Sequence, residues 1–218
     1  MASRTSLSAS DFSVYPSGST STRHNNTPIR PSPSKVWIDP AALPDSGDIS
    51  TIQGNAPDYV KQLNNNTYFS YGVGDEHCFG YQVGKDVKFV DINIDRKLER
   101  QGKMEATTVA EVTVNKYMLN GAGMLHGGCI AYLIDNCCST PLIVLGLVQN
   151  VNGVGVTQSM NVQYHAPASI GTRLSIISTS VSLGGRVMTS RCEILDKKSG
   201  RVIASAFLNK MQPNIPKL

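Results

Sequence analysis

A glycine-rich turn and a carboxylate stand close together in one apolar segment of this chain. Residues 120–135 read NGAGMLHGGCIAYLID, so Gly127 and Gly128 begin an apolar helix that carries Asp135. The N-terminus of a helix presents free N–H groups and a positive dipole end, which suit a carbonyl oxygen that gains negative charge. An ionised carboxylate among apolar side chains is costly unless it has a partner or a purpose. The segment therefore predicts an oxyanion-binding turn together with a base.

The spacing of these two features predicts that two copies of the chain build the site. Asp135 follows Gly127 by eight residues, which corresponds to roughly 12 Å along a helix axis. A single substrate carbonyl cannot contact both ends of that distance. If the two features cooperate, Asp135 must meet the glycine turn of a second copy, as a two-fold dimer would arrange. We therefore expect an active site shared between subunits.

The elements around this segment follow an α+β pattern of two strands, one long helix and four strands. Period-two alternation predicts the strands, and glycine-containing runs predict the hairpin turns between them. Pro141 should bend the central helix or end its first part. The pattern predicts an antiparallel sheet wrapped around a long central helix. The predicted elements are a short helix at 55–63 capped by Asn55, a loop at 64–85, strands at 87–95 and 107–114, the central helix from 127 into the 140s, and strands at 154–164, 172–183, 186–196 and 201–211.

The glycine turn and the strand after the helix resemble those of the hot-dog thioesterase superfamily. The run Leu125–Gly128 (LHGG), with Asn120 before it and Asp135 after it, is most similar to the PaaI-like, acyl-coenzyme A thioesterase 13-like branch. The likeness continues through GVTQSMNVQYHAPA at 155–168 and GGR at 184–186, and it covers about residues 86–212. It implies the hot-dog fold and a homo-oligomeric acyl-CoA thioesterase, a dimer that commonly pairs into a tetramer.

The resemblance also implies catalytic roles for particular residues. Asp135 would act as general base on water or as nucleophile on the thioester carbonyl, and Gly127 N–H would bind the oxyanion. Asn120 would position the carbonyl or the water, and Thr157 stands where close relatives carry a serine hydroxyl. His126 is better suited to holding the glycine turn than to transferring protons. The alternatives are a structurally paired Asp135, a loop role for Asn120 and a local hydrogen bond for Thr157.

For coenzyme A, the positions that match the family's contacts lie on the later strands and turns. The guanidinium of Arg186 and the ammonium of Lys210 suit phosphate oxygens. Coenzyme A is part of the substrate, and neither a separate cofactor nor a metal is expected, because the cysteines and histidines lack metal-ligand spacing. The implied contacts are Tyr164, His165, Pro167, Gly185, Arg186 and Lys210.

Two other functions stay open for the same fold. An enoyl-CoA hydratase would be expected to show an Asp with a His a few residues after it at a helix start, and Asp135 has no such partner. A non-catalytic acyl-CoA-binding module would be marked by loss of Asp135 or of the glycine turn, and the chain keeps both. The chain has no Gly-x-Ser-x-Gly run, so an α/β-hydrolase thioesterase is not expected.

Composition suggests four regions along the chain. Residues 1–35, rich in Ser, Thr, Pro and Arg, predict a disordered tail, and residues 36–85 an N-terminal extension with the short helix. Residues 86–212 would form the hot-dog domain and residues 213–218 a C-terminal tail.

Charge and chain ends bear on partners and compartment. The net charge of +4 comes with no nucleic-acid reader motif, so we expect phosphate-bearing acyl-CoA and no nucleic acid as partner. The hydropathy pattern predicts no membrane span, and five scattered cysteines suggest reduced thiols. We expect an intracellular, cytoplasmic protein. The Pro216-Lys217-Leu218 end offers a peroxisomal alternative and the acid-poor N-terminus a mitochondrial one.

Overall fold

The computed structural model describes residues 5–6 and 38–212 of the chain. The expected tails at 1–35 and 213–218, with the Pro216-Lys217-Leu218 end, therefore lie outside the described residues except for Thr5–Ser6. The strands and α-helices are β1 (Thr5–Ser6), α1 (Asp58–Thr67), α2 (Tyr81–Gly84), β2 (Lys88–Lys97), β3 (Lys103–Thr113), α3 (Gly127–Cys137), α4 (Thr140–Gln149), β4 (Val156–Tyr164), β5 (Arg173–Leu183), β6 (Val187–Asp196) and β7 (Val202–Met211).

The strands form one antiparallel sheet in the order β1-β2-β3-β5-β6-β7-β4. Each of the six long strands falls within a few residues of its predicted position, and the turns at 184–185 and 198–200 join β5 to β6 and β6 to β7. Alternate residues of β3 and β6 are buried, because successive side chains of a strand point to opposite faces. One face of the sheet therefore covers the core, and β4 ends the sheet at one edge.

The central helix packs on the buried face of this sheet and is broken once. Leu133 and Ile134 on α3, and Leu142 on α4, are completely buried. Pro141 has no N–H for the carbonyl of Cys137, and the Thr140 hydroxyl donates to that carbonyl instead, at 2.7 Å. The break expected at Pro141 is confirmed, and it falls just before the proline. This sheet wrapped around a central helix is the α+β hot-dog arrangement expected from the sequence.

The stretch Gly127–Gln149 is long and apolar enough, by length and composition alone, to cross a membrane. Within the protein, however, 72% of its most apolar window is buried. The helix of a folded core is apolar because other parts of the protein cover it. Here the sheet covers α3 and α4 on one side, and α1 and neighbouring segments cover them on another.

The N-terminal extension folds onto the domain, and two predictions about it were wrong. Asn55 does not cap α1; its side chain exchanges two hydrogen bonds with the backbone of Ile94 on β2, at 2.7 and 2.9 Å. The expected loop at 64–85 contains the end of α1, a π-helical turn at Tyr68–Val73 and α2. Tyr68 is buried, and its hydroxyl donates to Gly84 O at 3.1 Å. The extension is thus an integral layer over α3.

Candidate active site

Asp135 lies in the last turns of α3, half-buried, with its carboxylate directed at the start of β4. The hydroxyl of Thr157 donates to Asp135 Oδ1 at 2.5 Å, a short hydrogen bond. Thr157 itself is exposed at the sheet edge. The carboxylate is therefore held by one hydroxyl and stays within reach of a ligand, which fits a general base and a nucleophile equally.

Lys210 places a positive charge behind this carboxylate. It pairs with Thr157 across β4 and β7, and its ammonium donates to Ser139 Oγ at 2.8 Å. Ser139 Oγ in turn donates to the main-chain oxygen of Asp135 at 2.5 Å. Burial lowers the pKa of Lys210, while the charge of Asp135 opposes that shift. Through Ser139, Lys210 is therefore linked to the backbone of Asp135, and its contact with a coenzyme A phosphate stays a prediction.

The glycine turn is organised by His126, which stands at the N-cap of α3. Its Nδ1 accepts a hydrogen bond from Gly128 N–H at 2.8 Å. A Cβ on Gly128 would lie only 3.0 Å from that nitrogen, so a side chain there would disturb the cap. The expected turn-holding role of His126 matches this geometry. As the first residue of the helix, Gly127 has no carbonyl in a preceding helical turn to accept its N–H.

The predicted coenzyme A contacts Tyr164, His165 and Pro167 lie at the same end of the molecule as the glycine turn. The Tyr164 hydroxyl donates to Gly127 O at 3.2 Å, and its ring stands 3.4 Å from where a Gly127 Cβ would be. His165 Nε2 is 2.8 Å from Ser205 Oγ. Pro167 O accepts from the Arg201 guanidinium at 2.9 Å.

Asn120 uses its side chain within its own loop. Oδ1 accepts hydrogen bonds from Ala122 N–H at 2.9 Å and Met124 N–H at 3.1 Å. This is the loop role named above as the alternative for Asn120. A catalytic role for its amide group stays a prediction.

Gly185 and Arg186 form the turn between β5 and β6, at the opposite end from Tyr164. Both are exposed, and Arg186 O accepts from Gln212 N–H at 3.2 Å. The sequence-predicted residues thus form two groups in one chain. The glycine-turn end holds Asn120, His126, Gly127, Tyr164, His165 and Pro167, and the carboxylate end holds Asp135, Thr157, Gly185, Arg186 and Lys210.

A groove of about 660 Å³ runs along α3 beside Asp135. Its floor includes Gly128 and Asp135, β4 contributes Thr157, and the N-terminal extension supplies the opposite wall through Ser70–Gly74, Cys78 and Phe79. Sequence reasoning left the role of this extension open, because no motif marks a contact between residues so distant in the chain. Across the described residues, no group of three His, Cys, Asp or Glu side chains stands ready to hold a metal ion.

Comparison with known proteins identifies relatives for the segment that carries these residues. A sequence profile described as "Thioesterase superfamily" matches residues 122–203. Mouse acyl-coenzyme A thioesterase 13 is 28% identical over 121 residues, which is 54% of this chain and 84% of the mouse protein. The human protein of the same name is 29% identical over 96 residues, covering 44% and 66% of the two chains.

A solved structure shares the fold. The zebrafish protein named thioesterase superfamily member 2 superposes with a TM-score of 0.54 at 21% identity. The superposition covers 67% of this chain and 94% of the zebrafish chain. The profile match includes His126, Gly127, Asp135 and Thr157, and it leaves the N-terminal extension and Lys210 outside.

Proposed function

We propose that this chain hydrolyses acyl-coenzyme A to a free carboxylic acid and coenzyme A, because its residues 122–203 match the thioesterase superfamily profile. One observation supports the proposal above the others. The Asp135 carboxylate, held by Thr157 at 2.5 Å, opens into a groove large enough for a substrate. The mouse and human relatives are named for this reaction.

Asp135 can bring about thioester hydrolysis by two routes. As a general base, Asp135 takes a proton from water while the water oxygen bonds to the thioester carbon; the C–S bond then breaks, and the thiolate takes the proton. As a nucleophile, the carboxylate bonds to that carbon and expels the thiolate, and water then hydrolyses the mixed anhydride. In both routes the carbonyl oxygen gains negative charge.

The donor for that oxygen is the Gly127 N–H of a second copy. Within one chain the glycine turn and Asp135 lie at opposite ends of α3 and of β4, since Tyr164 contacts Gly127 and Thr157 contacts Asp135. β4 ends the sheet, and its outward residues are exposed, so its free edge can pair with another strand. Antiparallel pairing of β4 with its own copy would bring the Thr157 end of one chain to the Tyr164 end of the other.

Thioester hydrolysis with paired variants tests the proposal. We expect wild-type protein to release coenzyme A from members of a panel that runs from acetyl- to palmitoyl-CoA and includes phenylacetyl-CoA. Asp135→Asn should lower kcat by a factor of about 100 to 10,000, because the base or nucleophile is lost. The control Asp86→Asn removes an exposed carboxylate outside the groove and should keep the wild-type rate.

Three outcomes would contradict the proposal. Equal activity in Asp135→Asn and wild type would remove Asp135 from the chemistry. Saturable acyl-CoA binding without turnover would favour the acyl-CoA-binding module instead. Hydration of an enoyl-CoA without thioester cleavage would favour the hydratase.

A further inference from the structure

We infer that residues 70–80, here called the cover segment, form one wall of the site that binds the acyl chain, and that Phe79 limits the length of chain accepted. The inference rests on the proposed thioesterase function. The cover segment lies outside residues 122–203, so it is a feature of this chain beyond the matched superfamily segment.

The cover segment is seated on the central helix by Tyr132 of α3. The Tyr132 hydroxyl donates to Gly72 O at 2.5 Å. Burial raises the pKa of Tyr132 to about 12, so the hydroxyl keeps its proton as a donor. Gly80, at φ 76°, and Gly84 pass so close to the tyrosine side chain that a Cβ on either would collide with it. The cover segment is therefore anchored to α3 at Gly72 and Gly80.

The position of Asp135 sets where the acyl chain starts. The thioester carbonyl must lie at this carboxylate in either route, so the first methylene groups leave from the Asp135 end of the groove. From there the helix presents Gly128 and Ala131, which lie on one face because they precede Asp135 by seven and four residues. Their small size leaves space between the helix and the cover segment.

The walls of this space suit an alkyl chain. Val73 and Phe79 of the cover segment face the groove, and Met160 of β4 closes another side. Methionine adapts its shape to irregular apolar ligands, and aromatic rings supply large apolar area. The charged coenzyme A moiety has no cationic partner among the groove's lining residues, so it must lie outside, towards solvent.

Phe79 lines the groove and also a second depression beside it. Its ring packs edge-on against Tyr132, with centroids 5.9 Å apart and planes at 71°. The second depression has a volume of about 500 Å³, and its lining also includes Val83, Tyr117 and Leu119. Both depressions share Cys78, Phe79, Gly128 and Tyr132 in their linings. Because Phe79 is 88% exposed, its ring can be removed with little loss of core packing, and we expect its removal to join the two depressions.

Two variants of opposite effect test the inference. Phe79→Ala should raise kcat/KM for palmitoyl-CoA relative to octanoyl-CoA by about tenfold, since a longer chain gains room. Ala131→Leu should lower the same ratio by a similar factor, because the added isobutyl group fills the groove floor. Phe207→Ala, which removes an exposed phenyl ring of β7 that does not line the groove, is the matched control and should leave the ratio unchanged.

The outcomes separate this inference from the proposed function. If wild type hydrolyses acyl-CoA but neither variant changes the chain-length ratio, the cover segment is not the acyl wall. Size-exclusion chromatography with light scattering would measure the oligomeric state of both variants. A changed oligomeric state with an unchanged chain-length ratio would also overturn the inference and assign the groove to contact with a second copy. If wild type hydrolyses no acyl-CoA, the proposed function fails, and calorimetric titration with octanoic and palmitic acid then tests the groove by itself. Loss of palmitic acid binding in Ala131→Leu and in no other variant supports the groove as the site of the acyl chain. Equal binding of palmitic acid by wild type and Ala131→Leu overturns the inference.

Discussion

At the scale of single residues, the N–H groups of Gly127 and Gly128 at the start of α3 differ in their hydrogen bonding. The Gly128 N–H donates to His126 Nδ1, whereas the Gly127 N–H stands at the first helical position, where a helix offers it no acceptor. The first position of a helix tolerates proline, because the N–H there has no intrahelical acceptor and proline's φ suits the helix. His126 precedes it with φ −70° and ψ 136°, a conformation that also suits a residue before proline.

Gly127→Pro should therefore remove the proposed oxyanion donor and leave the fold intact. We expect kcat to fall by about 100- to 1,000-fold, the usual effect of losing one such donor, with an unchanged melting temperature. Steady-state hydrolysis and thermal unfolding would measure the two quantities.

Gly127→Ala is the matched control for that variant. Its Cβ would meet the Tyr164 ring at 3.4 Å, an ordinary contact, and the N–H remains. The alanine variant should stay active. Comparable activity in the proline and alanine variants would show that this N–H does not bind the oxyanion.

Among the elements, the break between α3 and α4 determines how Asp135 is presented. Three hydroxyls support it: Ser139 donates to Asp135 O, Thr140 donates to Cys137 O, and Thr140 accepts in turn from Thr108 on β3 at 2.7 Å. The threonine pair is buried, so each hydroxyl needs its partner. The break is thus tied to the sheet.

Thr140→Val should destabilise the protein by about 1 to 3 kcal/mol, because it leaves Cys137 O and the Thr108 hydroxyl without partners in the core. Urea unfolding would measure the free energy. Thr113→Val, at the exposed end of β3, should change it by less than about 0.5 kcal/mol. A double variant Thr108→Val/Thr140→Val that is as unstable as the sum of the singles would contradict a direct bond between the two hydroxyls.

The secondary-structure elements also show which parts of the fold follow from the sequence alone. The six long strands and the central helix follow from local signals, namely two-residue alternation, glycine turns and Pro141. The extension does not, because its contacts are long-range: Asn55 bonds Ile94 and Tyr132 bonds Gly72. In the same way, the local pattern located Asp135 and the glycine turn, but only the folded chain reveals Lys210 behind the carboxylate and the groove under the cover segment.

At the scale of the whole molecule, the free edge of β4 and the proposed site both favour a two-fold dimer. β4 is the exposed end strand, and its two ends carry the two separated halves of the proposed site through Thr157 and Tyr164. A two-fold dimer built on this edge would pair the halves twice, giving two sites for each dimer. Pairing of such dimers into a tetramer would leave each site unchanged.

Activity of mixed dimers tests this shared site most directly. Asp135→Asn and Gly127→Pro proteins, each expected to keep at most about 1% of the wild-type activity alone, would be unfolded together, refolded as a mixture and assayed for acyl-CoA hydrolysis. A heterodimer contains one site with both wild-type groups and one with neither. Random pairing of the two variants should therefore restore about a quarter of the wild-type activity. If Asp135 and Gly127 of the same chain formed the site, each site in the mixture would carry one defect, and no activity would return.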